Sequence, residues 1–410
     1  MEFSALRRQV ENVLNETAVA DIHTHLYSES FGELLLWGID ALLTYHYMVP
    51  ELLRHRQDLT AEAYFGLSTS EQAELVWQEV FVKRTPISEA ARGIATVLHE
   101  LGIDTSTRDL SKVRGYFAEQ SVGEHINRVF ELARVKYVVM TNDPFDAQER
   151  SVWGQRGNSD MRFKSALRLD GLLNAYGANV EALQAQGFAA EAGLAGASVG
   201  AVKDFLKRWI ERISPEYMAV SLGPEFRMDD GSVRARLLRE CVLPVAEAEG
   251  LPVAMMIGVK KLQNPALELA GDGVGKADVD VVADLAKEWS GVRFLVTMLS
   301  RENQHELCVA ARKFRNLLVF GCWWFLNNPS IISEMTLERV ELLGWTTIPQ
   351  HSDARVLEQL IYKWQHTREV LTSVLAKKYY EVMQTGWPVR REDMVRDVEA
   401  VLGGKLLGRG

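Results

Sequence analysis

The stretch AVADIHTHL, residues 18–26, governs the reading of the whole chain. It is a short apolar run that ends in two histidines one residue apart, His23 and His25. Side chains two apart on a strand share a face, so both imidazoles project the same way from the strand end, while Thr24 faces the other side. Runs of the same character follow: VKYVVMTNDPF (135–145), FKSALRLD (163–170), EYMAVSLG (216–223), LPVAMMIGV (251–259), VRFLVTML (292–299), NLLVFGCWWF (316–325) and WTTIPQHSDAR (345–355). Several are almost continuously apolar, as parallel strands covered on both faces must be. Helical patterns over 233–249, 276–289, 303–315, 331–342 and 356–384 separate the later ones. Eight strands alternating with helices predict an α/β fold, a closed (β/α)8 TIM barrel. An open doubly wound sheet is the alternative, but no glycine-rich phosphate loop follows any strand.

The spacing is uneven in one place. Between the first two strands lies a long stretch with helical patterns at 70–84 and 87–101. An insertion on the first strand-to-helix loop sits over the C-terminal end of a barrel. The chain is therefore expected to be one barrel over 1–410, with 48–130 forming a helical insertion that caps it. The Ala/Gly-rich stretch 188–206 reads as a loop entering a helix, and the tail 403–410 as a fraying end.

Composition narrows the function classes. The chain has 410 residues, 47% of them hydrophobic and 25% charged, which is ordinary for a globular protein. Its net charge of −9 argues against nucleic acid as a partner, since phosphate binding calls for a basic surface. An anionic small molecule is not excluded, because a few arginines inside a pocket outweigh a surface average. There is no long apolar run for a membrane span and no signal-peptide core, and the three cysteines lack metal-type spacing. A cytoplasmic protein is expected.

The chemistry begins with His23 and His25. A matching carboxylate, Asp353, closes the last strand within His351-Ser352-Asp353-Ala354-Arg355. In a closed barrel the last strand neighbours the first, so Asp353 is in reach of a cation held by the two imidazoles. One divalent metal ion is expected, zinc first, with manganese or another imidazole-binding metal as alternatives. The competing reading makes Asp353 a helix N-cap and Arg355 a surface ion-pair partner.

These elements resemble the amidohydrolase superfamily, whose barrels carry His-x-His on strand 1 and Asp on strand 8. Within it the chain is similar to the uronate isomerase family. The segments that carry the likeness are Thr44-Tyr45-His46-Tyr47, Thr141-Asn142-Asp143-Pro144, Leu167-Arg168-Leu169-Asp170, Cys322-Trp323-Trp324-Phe325 and Ser352-Asp353-Ala354-Arg355. The resemblance implies an aldose–ketose isomerase that moves a proton between C2 and C1 of an open-chain hexuronate such as glucuronate. It implies Asp353 or Tyr47 as the base and His46 as a hydroxyl ligand or proton relay. Arg168 and Arg355 are the implied holders of the substrate carboxylate, since a guanidinium fork matches that group. Trp323 and Trp324 line the implied sugar site. Each has a plainer reading: an aromatic cluster for His46 and Tyr47, an ion pair with Asp170 or Glu225 for Arg168, and packing for the two tryptophans. Family members often assemble into oligomers, although no feature of this sequence requires it.

The chain departs from its relatives at strand 5, where Met256-Ile257-Gly258 stands in place of the family's His-Ile-Gly. Neither strand 4 nor strand 6 offers the lysine or histidine of two-metal hydrolases, so a single metal is expected. A mononuclear hydrolase or lyase acting on another small carboxylated substrate is the alternative function.

Overall fold

A computed structural model describes residues 2–155 and 157–405; the tail beyond 405 lies outside the described residues. Among the described residues nine strands form, most of them separated by helices: β1 Val19–Thr24, β2 Val135–Asn142, β3 Phe163–Arg168, β4 Met218–Leu222, β5 Val253–Ile257, β6 Val259–Lys260, β7 Gly273–Val274, β8 Phe294–Met298 and β9 Leu317–Val319. Seven form one parallel sheet in the order β1-β2-β3-β4-β5-β8-β9, and β6 pairs with β7 as a short antiparallel ribbon. Every residue of β1, β5 and β8 is buried, as the apolar runs require.

The sheet curls until its two edges meet. Ala20 and Ile22 of β1 share one apolar cluster with Val139, Ala166, Ala219, Ala254, Met256 and Leu295 along the sheet, and with Phe320 and Ile348 at the far edge. The segment 345–355 bridges the edges, but not as the regular strand its pattern predicts. On one side the Ile348 amide donates to Val319 O (3.1 Å) and that of Gly321 to Ile348 O (2.8 Å). On the other, the amide of Asp353 donates to His23 O (3.1 Å) and that of His25 to Ala354 O (2.8 Å). Two residues explain why no longer ladder forms. Pro349 has no N–H to give, and Asp353 takes a left-handed φ of 52° that turns the chain out of the strand. The partner edge is irregular too: the β1–β2 register shifts between Asp21 and Thr24. Such irregularities re-aim side chains at strand ends.

Between β1 and β2 the chain is helical from 29 to 133 with short breaks. Serines start two of these helices: Ser68 forms a capping box with Glu71, and Ser88 accepts the Ala91 amide. The segment 265–271, carried on the β6–β7 ribbon, touches helices 48–55 and 61–65. The Ala/Gly-rich stretch turns helical at Ser198. The last long helix, Gln359–Gln384, is buried along most of its length.

Candidate metal centre and active site

The seam between β1 and residues 351–355 brings together the residues that sequence spacing paired. One ligating atom from each of His23, His25 and Asp353 lies within 4.8 Å of the others, and this is the sole such group among the described residues. Asp353 Oδ1 is 3.3 Å from His25 Nε2 and 3.8 Å from His23 Nε2. Asp353 is not an N-cap, since Glu358 occupies that position on the following helix.

The hydrogen bonds around His23 fix its tautomer. The Tyr217 hydroxyl lies 2.7 Å from Ile22 O and 2.9 Å from His23 Nδ1. A carbonyl only accepts, so the single phenolic proton goes to Ile22 O, and the oxygen accepts from His23 Nδ1–H. His23 Nε2 is then a bare lone pair. It is buried without a partner, as is Asp353 Oδ1, the oxygen it faces. An acceptor aimed at an acceptor in a buried site calls for a cation between them. Burial holds His23 at a pKa of about 3 and His25 well below its ordinary value, so both rings are neutral, as metal ligands must be. The residues present therefore fit a divalent metal. Asp21 anchors the seam: its carboxylate accepts the Ser352 amide at 3.0 Å and Trp364 Nε1 at 2.8 Å. One layer deeper, His351 sits 5.1 Å from His23, ring to ring, over Gly321, where any Cβ would strike the imidazole.

Arg355 and Arg168 border this cluster; after burial, they are the charges that most disfavour protonation of His25. Arg168 ends β3 and pairs with Asp170 at 3.2 Å, as its plainer reading expected. Arg355 makes no ion pair with any described residue. His46 and Tyr47 lie in an aromatic group with Trp324, whose ring is 5.5 Å from His46 and 6.3 Å from Tyr47. Burial keeps His46 neutral at a pKa of about 3 and raises Tyr47 well above the ordinary phenol value. Trp323 is packed into the apolar interior, whereas Trp324 borders a cavity with His46 and Tyr47. On strand 5 the buried Met256 faces the interior cluster with Ile22 and Val139, while Met255 and Ile257 pack in the outer apolar layer.

Sequence reasoning missed Tyr217 and Lys363. Tyr217 stands two positions before Ala219 on the inward face, an aromatic hydroxyl among small side chains. Lys363 is a lysine on the buried face of the 359–384 helix. Neither stands out until β4, β1 and that helix are packed together.

The fold and this centre define a parallel α/β enzyme with a His-His-carboxylate donor set at its sheet edges. No protein-family model matches the chain, and no curated protein does. Among solved structures it resembles a uronate isomerase from Bacillus halodurans C-125 at 52% identity, covering 100% of this chain and 98% of that one, with a TM-score of 0.97. A uronate isomerase from Thermotoga maritima is 15% identical (98% and 97% covered, TM-score 0.80), and a glucuronate isomerase from Caulobacter crescentus 14% (99% and 94%, TM-score 0.79). These two share the fold. The chain belongs to the uronate isomerase family.

Proposed function

We propose that this protein is a metal-dependent aldose–ketose isomerase acting on a hexuronate, with glucuronate as the first substrate to try. The observation that carries the proposal is the convergence of two neutral imidazoles and one carboxylate on a common point. Family membership supplies the reaction. The curled sheet, closed by residues 345–355, is read as a (β/α)8 barrel, and residues 48–130 as its cap.

A divalent ion held by His23, His25 and Asp353, zinc first, would polarise the substrate oxygens that gain charge during proton transfer. The rest falls to the chain's own groups. Isomerisation removes the proton from C2, leaves an enediol across C1 and C2, and returns a proton to C1 as O2 becomes the carbonyl. Asp353, whose Oδ1 faces the two imidazoles and whose Oδ2 is left to meet the substrate, suits the base at C2. Tyr47 suits it less, because burial keeps its phenol protonated; it is better fitted to donate a hydrogen bond to a substrate oxygen. His46, neutral, is suited to hold a hydroxyl. Arg355 and Arg168 are the forks for the carboxylate, and Arg355 is the freer of the two. Among the described residues no helix is long and apolar enough to cross a membrane. The hydrolase alternative gains nothing from strand 5, since methionine activates no water.

The test is turnover of glucuronate by chelated and then zinc- or manganese-reloaded enzyme, followed in heavy water. Deuterium at C1 of the ketose, or hydrogen carried over from C2, is expected. A reloaded enzyme that leaves every uronate unchanged refutes the proposal.

A further inference from the structure

Beside His46 and Tyr47 lies a cavity of about 310 Å³. Lys363, 6% exposed, is part of its wall. Its Nζ lies 5.8 Å from the ring centroid of Tyr47 and 5.5 Å from that of Tyr362. Among the described residues no hydrogen bond or ion pair is made by this Nζ, while the Lys363 carbonyl accepts from Thr367 Oγ1 (2.7 Å). The one carboxylate in the wall, Glu89, is already engaged, with His366 Nδ1 at 2.6 Å and Arg92 Nη2 at 3.0 Å. A buried ammonium without a counter-ion costs several kcal/mol, and ring faces offset only part of that. Three polar atoms of wall residues are buried without partners: the donors Trp324 Nε1 and Asn327 Nδ2, and the acceptor Asn328 Oδ1. A cation, two N–H groups, one acceptor and flat aromatic faces together match a small polyhydroxylated carboxylate.

We propose that this cavity receives the carboxylate-bearing end of the sugar acid and that Lys363 selects acids over neutral sugars. The inference rests on the sugar-acid isomerase reading and adds Lys363 to Arg355 as a second cation for the same carboxylate, both charges acting on His46. His46 joins the two regions: it lines the cavity, and its surroundings include Asp353, Arg355 and His25. Arg168, by contrast, already has Asp170.

The experiment uses full-length, metal-loaded enzyme with Lys363→Met, Lys363→Gln and Lys363→Arg. It reads kcat and KM for the hexuronate, and the affinities by calorimetry of gluconate and its neutral counterpart glucitol. Loss of a charge-assisted contact should raise KM and weaken gluconate by about 10-fold or more. Glucitol affinity, metal content and melting temperature should hold, and Lys363→Arg should recover most of the loss. Lys363→Gln gives the same readout should the methionine variant not fold. Unchanged gluconate affinity, or equal losses for gluconate and glucitol, overturns the proposal. If the wild type turns over no hexuronate, the isomerase reading fails by itself, and the gluconate–glucitol pair still decides the role of Lys363.

Discussion

Two buried polar clusters stand near the same end of the sheet, and they are built on opposite principles. In the first, Glu149 is closed off: Oε1 accepts from Tyr27 Oη (2.8 Å) and the Asp143 amide (3.1 Å), and Oε2 from Asn142 Nδ2 (2.8 Å). In the second, His23 Nε2 and Asp353 Oδ1 face one another and neither has a partner. A satisfied network fixes a structure, whereas a half-satisfied one is costly and is kept where something else completes it. The Glu149 carboxylate is fully bonded, whereas the facing atoms of His23 and Asp353 are both open.

Three substitutions probe the contrast. Asp353→Asn should have the largest effect, lowering turnover by on the order of 10³-fold, as removal of a general base does. Near-wild-type kcat would make the open cluster no more of a site than the closed one. Tyr217→Phe removes the oxygen that holds the proton of His23 on Nδ1. Divalent-metal affinity should then fall about 10- to 100-fold, read by calorimetry with the fold intact. An unchanged affinity would mean that the tautomer is set by something other than this phenol. The smallest effect belongs to the closed cluster. Burial raises the Glu149 pKa from 4.5 to about 7, so the folded state holds a proton that the unfolded chain releases first. Its contribution to stability is complete below pH 4.5 and is lost as pH rises towards 7, at up to ~1.4 kcal/mol per pH unit. Glu149→Gln, which resembles the protonated form, should flatten that slope in a melting-temperature series against pH. An unaltered slope would place the proton elsewhere.

What the sequence reveals follows from how local each signal is. The period-two spacing of His23 and His25 needs only one strand, and the carboxylate at the end of the last apolar run needs only the expectation of closure. Both were legible. The irregular closing segment was half legible: Pro349 stands in plain view, but the left-handed turn at Asp353 is imposed by packing against β1. Tyr217 and Lys363 were not legible, because their roles depend on partners 194 and more residues away or on a cavity that several elements share. Trp323 carries two readings in the sequence, sugar contact and packing, and the folded chain packs it into its interior.

The seam also bears on biosynthesis. The bond from the Ser352 amide to Asp21 ties together points 331 residues apart, and the donor set straddles the same gap. Nearly the entire polypeptide must leave the ribosome before the centre can exist, and a growing chain carries its two histidines exposed and incomplete throughout. A product truncated before Asp353 lacks the third donor and would offer a cation only the two imidazoles.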